Sequence, residues 1–353
     1  MTGLVRPDAA VEIRDHDEAG AVYGRGYFGT LADGRLSLSR FESVYLVEMG
    51  RLEVGDARGR AVDWAELFRR AVKAEPGFGV RYLVYRDLRQ RGYVVRSTPP
   101  PVAFAVLPRG GILHKTPSRF WVQPYSERAP FDLAALFDLA ERAQGAKKSL
   151  LLALVDEESD LTYYRVRRPT PSGSLVTRPL AAPAVGWLSE DRVVVFEPSA
   201  VESLGKSSAY GSRIGGRLEL SLLEAAYLLE TGQIELRDTR TRRRVAAERF
   251  LRRGRRLDPR FVERLAAYRT LRGRGLVVKT GFKYGAHFRA YPRSPENAHA
   301  RYLVQAVPDD HRATWPEVAG GIRVAQGVRK EFLIAGVARS NAVRFLELER
   351  IRP

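Results

Sequence analysis

Few residue types in this chain can do chemistry, and their spacing removes most of the options. There is no cysteine, so disulfides, thiolate metal sites and thiol nucleophiles are excluded together. The five histidines, His16, His114, His287, His299 and His311, show neither HExxH nor HxxxH spacing, which argues against a zinc site. No phosphate-cradling GxxxxGK[ST] or GxGxxG loop follows a strand pattern, and no GxSxG elbow occurs. What remains is three blocks late in the chain: GFKYGAHFRAYP from Gly281, HARYLV from His299 and VRKEFLIAGV from Val328. They bring together tyrosine, histidine and cations. Such groups suit RNA cleavage in which the neighbouring 2′-hydroxyl is the nucleophile. That reaction needs a base for the hydroxyl proton, an acid for the departing 5′-oxygen and a cation for the crowded phosphate. It requires no cofactor, and none is expected.

Composition agrees with a polyanionic partner. Lys and Arg number 59 against 41 Asp and Glu, a formal net charge of +18, and a surplus of that size favours nucleic acid through counterion release. Charge alone leaves a membrane surface or the ribosome open as partners. The first thirty residues are charged and have no apolar core, and no run of about 18 apolar residues occurs anywhere. The expectation is therefore a soluble, cytoplasmic protein with no membrane partner.

The elements that must position the three blocks belong to a duplication. Residues 35–54, RLSLSRFESVYLVEMGRLEV, align without a gap to residues 217–236, RLELSLLEAAYLLETGQIEL, with ten identities in twenty positions at an offset of 182. FGVRYLVYRDLRQRGYVV from Phe78 aligns with FVERLAAYRTLRGRGLVV from Phe261 at an offset of 183, with ten identities in eighteen. The offset returns to 182 at Lys148 against Lys330. Four prolines with Gly and Ser in RPTPSGSLVTRPLAAP, residues 168–183, mark a linker. In the second copy a helix begins at Ser221 with Glu224 as capping-box partner and stops at Gly232, and a short strand follows at Ile234 to Leu236. A second helix carries Arg264, Arg269 and Arg272 on a basic face. Strands are expected at LVVKTG, HFRAYP and ARYLVQAVP, a helix at Thr314 to Lys330, then the strands EFLIAGV and FLELERIRP. This order predicts an α+β fold, a tandem duplication in which each copy has a small helix/strand N-terminal subdomain and a nuclease-like C-terminal subdomain with a mixed sheet. The expected boundaries are 1–75 and 76–170 for the first copy, 171–183 for the linker, and 184–255 and 256–353 for the second.

The blocks KTGFKYGAHFRAY, HARYLV and RVAQGVRK resemble the catalytic unit of the archaeal tRNA-splicing endonucleases. Carried over position by position, the resemblance places the family's catalytic tyrosine, histidine and lysine on Tyr291, His299 and Lys330. It implies cleavage of precursor tRNA at intron–exon junctions in a bulge-helix-bulge RNA, without metal, by a tRNA-intron lyase that leaves 2′,3′-cyclic phosphate and 5′-hydroxyl ends. Imidazole alone has an unperturbed pKa near neutrality and suits the acid, whereas a phenol starts near 10 and needs a nearby cation to act as base. His287 stands where the family often has aspartate. Each residue also has an ordinary structural use: a strand-end aromatic, a capping imidazole, a lysine compensating a helix dipole. The three blocks together favour catalysis.

The same resemblance covers a homodimeric class with one non-catalytic and one catalytic repeat per chain. At the constant offset of 182, Pro117 faces His299 and Arg109 faces Tyr291, so the first copy lacks the acid and the phenol and keeps only Lys148. Arg323, seven residues before Lys330 and thus two helical turns away on one face, is expected to reach the same cleft; the resemblance implies that it contacts RNA there, with Arg352, or else Arg350, as its partner in clamping a flipped base. The acidic turn Asp156, Glu157, Glu158, Ser159 and Asp160 resembles the loop with which the non-catalytic repeat docks into the opposite subunit; its counterpart, residues 337–341, carries no acid. The alternatives are a catalytically weak RNA-binding or structural subunit of a splicing endonuclease complex, and a metal-dependent nuclease or DNA-binding protein on a similar core.

Overall fold

The computed structural model describes residues 2–295 and 298–353. The chain forms two compact units, one of Met1–Ala129, Leu139–Arg165 and Ile351–Pro353, the other of Pro130–Asp138 and Val166–Arg350. The fold is α+β and internally repeated. Among the described residues no helix is long and apolar enough to cross a membrane.

Each unit contains a five-stranded sheet of the same topology. In the first the strand order is Thr30–Ala32, Arg35–Leu38, Val11–Ile13, Thr2–Val5, Glu53–Gly55; in the second it is Ser212–Ile214, Arg217–Ser221, Arg192–Val195, Ala184–Ser189, Ile234–Asp238. Helices Arg40–Glu48 and Leu222–Glu230 follow the same strand in both. Ser39 and Ser221 are their N-caps, each in a complete capping box with Glu42 or Glu224. Both carboxylates also accept the backbone N–H thirteen residues upstream, Gly29 at 2.7 Å and Gly211 at 2.8 Å. The helix expected at Ser221 is present, and the strand after it runs to Asp238.

The nuclease-like half of each copy builds its sheet from three strands after a first helix and two more after a second, Leu133–Gly145 or Trp315–Gly327. In the second unit the strand order is Val277–Thr280, Phe288–Tyr291, Tyr302–Pro308, Glu331–Val337, Val343–Ile351. The Tyr302 and Glu331 strands are parallel and the other neighbours antiparallel. The Glu331 strand is interior to the sheet and, after its first residue, buried throughout, as a strand covered on both faces must be. The corresponding order in the first copy is Val95–Ser97, Phe104–Val106, Phe120–Ser126, Ser149–Val155, Leu161–Arg167.

Helix Phe261–Gly273 joins the two halves of the second unit. Phe261, Leu265, Tyr268 and Leu271 share one core with Leu220 and Leu228 of the N-terminal half and with Phe288, Val304 and Leu333 of the sheet. The basic face expected on this helix is tied to partners, and only Arg272 of it is buried. Arg264 donates to Asp258 at 2.5 Å, Arg269 pairs with Glu230, and buried Arg272 lies 4.0 Å from the Tyr210 ring and donates to the Ser208 carbonyl at 2.9 Å. A helix packed on two sides spends its cations on neighbouring carboxylates and carbonyls.

Lys279 is fixed in the same way. Its ammonium donates to the Gly211 carbonyl at 2.6 Å and lies 3.9 Å from Glu224, while burial holds it below its ordinary value against the pull of that carboxylate. Glu224 accepts Gly211 N–H, Ser221 N–H at 3.0 Å and the Ser221 hydroxyl at 2.9 Å. Glu224→Ala strands these donors and should destabilise the second unit by about 2 kcal/mol or more, given roughly 1–3 kcal/mol for each buried group left unpaired. Guanidinium denaturation of the variant checks this.

Candidate active site

The register of the second unit's sheet explains how distant blocks meet. Ala290 is opposite Tyr302, and Tyr302 is opposite Glu331. The next residue outward on the first strand is Tyr291; the residues before Tyr302 and Glu331 are Arg301 and Lys330. Arg301 N–H bonds to the Ala290 carbonyl at 3.1 Å and Glu331 N–H to the Arg301 carbonyl at 2.9 Å, so the ladder continues to this edge. His299 lies three residues before the Tyr302 strand, on the approach to the same edge. The structure thus brings the three sequence-predicted residues to one end of the sheet.

Their surroundings differ. Tyr291 is 7% exposed and packs with Val277, Ala300 and the partly buried Leu175 and Ala209. His299 is exposed, and among the described residues its ring makes no hydrogen bond. The Lys330 ammonium donates to the Val328 carbonyl at 3.3 Å and lies 5.8 Å from the centre of the Tyr284 ring. Arg289, on the same strand as Tyr291, lies 5.9 Å from both the Tyr284 and Tyr291 ring centres. Cations over these rings produce a positive field beside the phenol. Arg289 and Tyr284 were missed in the sequence, although both sit inside the block KTGFKYGAHFRAY. Two shallow hollows open at this edge, one of about 380 Å³ touching Arg301, Tyr302 and Arg168, the other of about 270 Å³ touching Lys330, Arg329 and Gln326.

The helix expected to reach Lys330 ends earlier. It runs Trp315–Gly327, with Thr314 as its capping-box N-cap. Val328 closes it, Arg329 turns with φ +53°, and Lys330 N–H returns to the Ala325 carbonyl at 2.8 Å. Helical spacing therefore does not relate Arg323 to Lys330, which is aimed by the turn and the Glu331 strand. Arg323 is exposed on the helix. Gln326, one turn later, donates to the Arg350 carbonyl at 2.9 Å, so the second unit sets Arg350 beside this helix; Arg352 belongs to the residues that fold with the first unit.

The linker is more than a tether. Residues 168–183 form no helix or strand, as their prolines dictate, yet Gly173 N–H bonds to the Arg274 carbonyl at 2.9 Å, Ser174 N–H to Pro292 at 2.9 Å and Leu175 N–H to Gly275 at 2.9 Å. A Cβ on Gly173 would stand 2.3 Å from the Gly275 carbonyl oxygen. Only glycine lets the chain pass this close, and the pass seats Leu175 against Tyr291.

His287 serves as a hydrogen-bond acceptor inside the second unit. Its Nδ1 accepts the Ala306 N–H at 3.0 Å. Burial, with Arg264 nearby, pushes the ring down to about 4, so it is neutral with its proton on Nε2.

In the first copy Lys148 occupies the place of Lys330 and donates to the Ser118 carbonyl at 2.6 Å. Pro117 stands for His299. Arg109, however, is not the counterpart of Tyr291. Phe104 pairs with Val122 as Phe288 pairs with Val304, so the offset on this strand is 184 and the counterpart is the buried Leu107. Arg109 is an exposed residue 5.0 Å from the Tyr93 ring. The connection from this strand to the next is two residues longer in the first copy, Phe104 to Val122 against Phe288 to Val304, which shifts the constant alignment by two. Neither Leu107 nor Pro117 can transfer a proton.

Comparison with known proteins accounts for this arrangement. The model of the tRNA intron endonuclease catalytic C-terminal domain matches residues 78–163 and again 261–345, and that of the tRNA intron endonuclease N-terminal domain matches residues 7–68 and 184–251. The chain belongs to the tRNA intron endonuclease family, as an enzyme carrying both family domains twice. It is 36% identical over 336 residues to the tRNA-splicing endonuclease of Methanosarcina acetivorans, covering 94% of each chain. Its identity to the tRNA-splicing endonuclease of Halobacterium salinarum is 34%, over 93% of each. To that of Natronomonas pharaonis it is 35%, over 99% of this chain and 98% of the other.

Two expectations follow from this geometry. Unfolded, the His287 ring has its ordinary value of 6.5, so below that pH the unfolded chain takes up a proton that the native ring refuses until about 4. This contribution to stability is complete above about pH 6.5 and falls away toward pH 4. Denaturant midpoints at pH 7.5 and 5 should drop less for His287→Asn, whose amide still accepts the Ala306 N–H. Gly173→Ala forces the strap outward and should cost about 1–3 kcal/mol, as overpacking does; thermal unfolding, with cleavage rates measured well below the midpoint, reports both strain and the loss of support for Tyr291.

Proposed function

We propose that this chain is a tRNA-intron endonuclease that cuts precursor tRNA at intron–exon junctions within a bulge-helix-bulge RNA. The convergence of Tyr291, His299 and Lys330 from three separate blocks onto one sheet edge carries the reading, and the family membership and the names of its relatives support it. Tyr291, as phenolate, takes the proton of the 2′-hydroxyl at the cut. The 2′-oxygen attacks phosphorus, Lys330 stabilises the added charge, and His299 gives a proton to the 5′-oxygen as its bond to phosphorus breaks. The products are a 2′,3′-cyclic phosphate and a 5′-hydroxyl. No step calls for a metal ion.

Arg323, with Arg350 or Arg352, clamps a splayed base next to the cut. The enzyme acts as a homodimer through the turn after strand Ser149–Val155. There Asp156, Glu157, Glu158 and Asp160 are all exposed, and the Asp156 carboxylate holds the bend by accepting Glu158 N–H at 3.0 Å and Asp160 N–H at 2.8 Å. Glu157 also meets Arg128 at 2.5 Å. An acidic projection on a chain of net charge +18 is suited to a basic cleft of the partner subunit.

Incubation with a bulge-helix-bulge RNA in EDTA, with end-group analysis, tests the mechanism. Wild type should cleave and leave cyclic phosphate; His299→Ala and Tyr291→Phe should each lose roughly 10²-fold or more, the ordinary worth of a positioned acid or base. Products with 3′-hydroxyl and 5′-phosphate ends, or activity lost in EDTA, would overturn it.

A further inference from the structure

The chain's positive charge is concentrated in one place away from the candidate active site. Between residues 237 and 256 stand ten arginines and two acids, Asp238 and Glu248, a surplus of eight out of the total of +18. The matching stretch of the first copy, residues 55–74, holds Arg58, Arg60, Arg69, Arg70 and Lys73 against Asp56, Asp63 and Glu66, a surplus of two. The frames are alike. A strand ends in a turn closed by a single bridge, Gly55 with Ala61 or Arg237 with Arg244, and leads into helix Trp64–Ala74 or Ala247–Leu257. The fold therefore does not require the extra charge.

The two copies also treat their cations differently. In the first, Arg60 pairs with Asp56 at 2.7 Å, and Arg69 and Arg70 pair with Glu66 at 3.0 and 2.8 Å. In the second, the Asp238 carboxylate is taken up by its own turn, accepting from Arg240 N–H, Thr241 N–H and the Thr241 hydroxyl. Arg244 meets Glu235 at 3.5 Å, Arg252 meets Glu248 at 3.9 Å, and Arg253 donates to the Glu190 carbonyl. Among the described residues Arg240, Arg242, Arg243, Arg249, Arg255 and Arg256 are exposed and have no carboxylate within ion-pair distance. Arg249, Arg252, Arg253 and Arg256 recur at helical spacing along about 10 Å and line a hollow of about 380 Å³ between the helix and the turn, floored by Leu188, Val245 and Phe250.

So many like charges held together repel one another, and an anionic partner relieves that cost. The guanidinium is the side chain best matched to phosphate oxygens, and a stripe across turn and helix fits an extended row of phosphates better than the compact carboxylates of a protein loop. We infer that this arginine face binds the sugar–phosphate backbone of the substrate RNA remote from the cut, holding the body of the precursor while the bulge enters the site. The inference rests on the RNA-cleaving function proposed above. Contacts of this kind position without reading sequence.

The test compares wild type with R242Q/R243Q/R249Q/R256Q, four exposed positions outside the candidate site, on two RNAs: a full-length intron-containing precursor tRNA and a minimal bulge-helix-bulge duplex. Glutamine keeps helix propensity, and circular dichroism checks the fold. The variant should bind the precursor at least tenfold more weakly, with a log Kd against log salt slope shallower by about 3–4, as expected for four lost phosphate contacts. Its turnover of the minimal duplex should equal wild type. Equal precursor affinity and equal salt slope would overturn the inference and leave the cleavage function standing. Loss of dimer in sedimentation, with precursor affinity per dimer unchanged, would assign the face to protein and also overturn it. If wild type cleaves neither RNA, the function itself falls and the inference with it.

Discussion

The parallel pairing of Tyr302–Pro308 with Glu331–Val337, with Phe288–Tyr291 antiparallel beside it, is the constraint on which the rest of the structure depends. It fixes which residues emerge together at one edge. Side chains alternate along a strand, so a slip of one residue would turn Tyr291 to the opposite face and bury a neighbour instead. The register is held because the Glu331 strand is apolar on both faces and the helix Phe261–Gly273 covers one of them. Hydrophobic packing in the interior thus sets the positions of the phenol and the ammonium.

The duplication shows how far edge residues can diverge on a kept frame. The first copy keeps strand order, register and capping boxes, yet has Leu107 and Pro117 where the second has Tyr291 and His299. Lys148 survives, tied to a carbonyl. Packing constrains the interior of both copies alike and leaves edges and turns free to diverge. One copy's turn became acidic at Asp156–Asp160, and the other's helix and preceding turn became arginine-rich.

The cations of this protein divide into two populations. Arg264, Arg269, Arg272 and Lys279 lie where two halves of the second unit meet, and each has a carboxylate or a carbonyl to satisfy. Buried charge without a partner is too costly to keep, so these residues are joints. Arg289 and Lys330 stand over aromatic rings at the sheet edge, and Arg249, Arg252, Arg255 and Arg256 of the Ala247–Leu257 helix stand in solvent. Composition counts all of them equally; burial separates them.

Much of the second copy was legible in its sequence because local rules dominate there. The Ser221 cap with Glu224, the apolar strand from Glu331, the strands around Val277, Phe288 and Tyr302, and the repeat itself follow from capping chemistry, β-branched runs and self-similarity. Local rules failed where the answer depends on residues far along the chain. The helix before Lys330 stops at Gly327, the counterpart of Tyr291 is Leu107, and Arg272 faces a core. The sequence by itself determined the elements, their duplication and the residue types able to move protons. Only the tertiary structure decided that Tyr291, His299 and Lys330 share an edge and that Gly173 lets the linker press Leu175 against Tyr291. Strand register and close backbone approach are long-range contacts, and no local propensity encodes them.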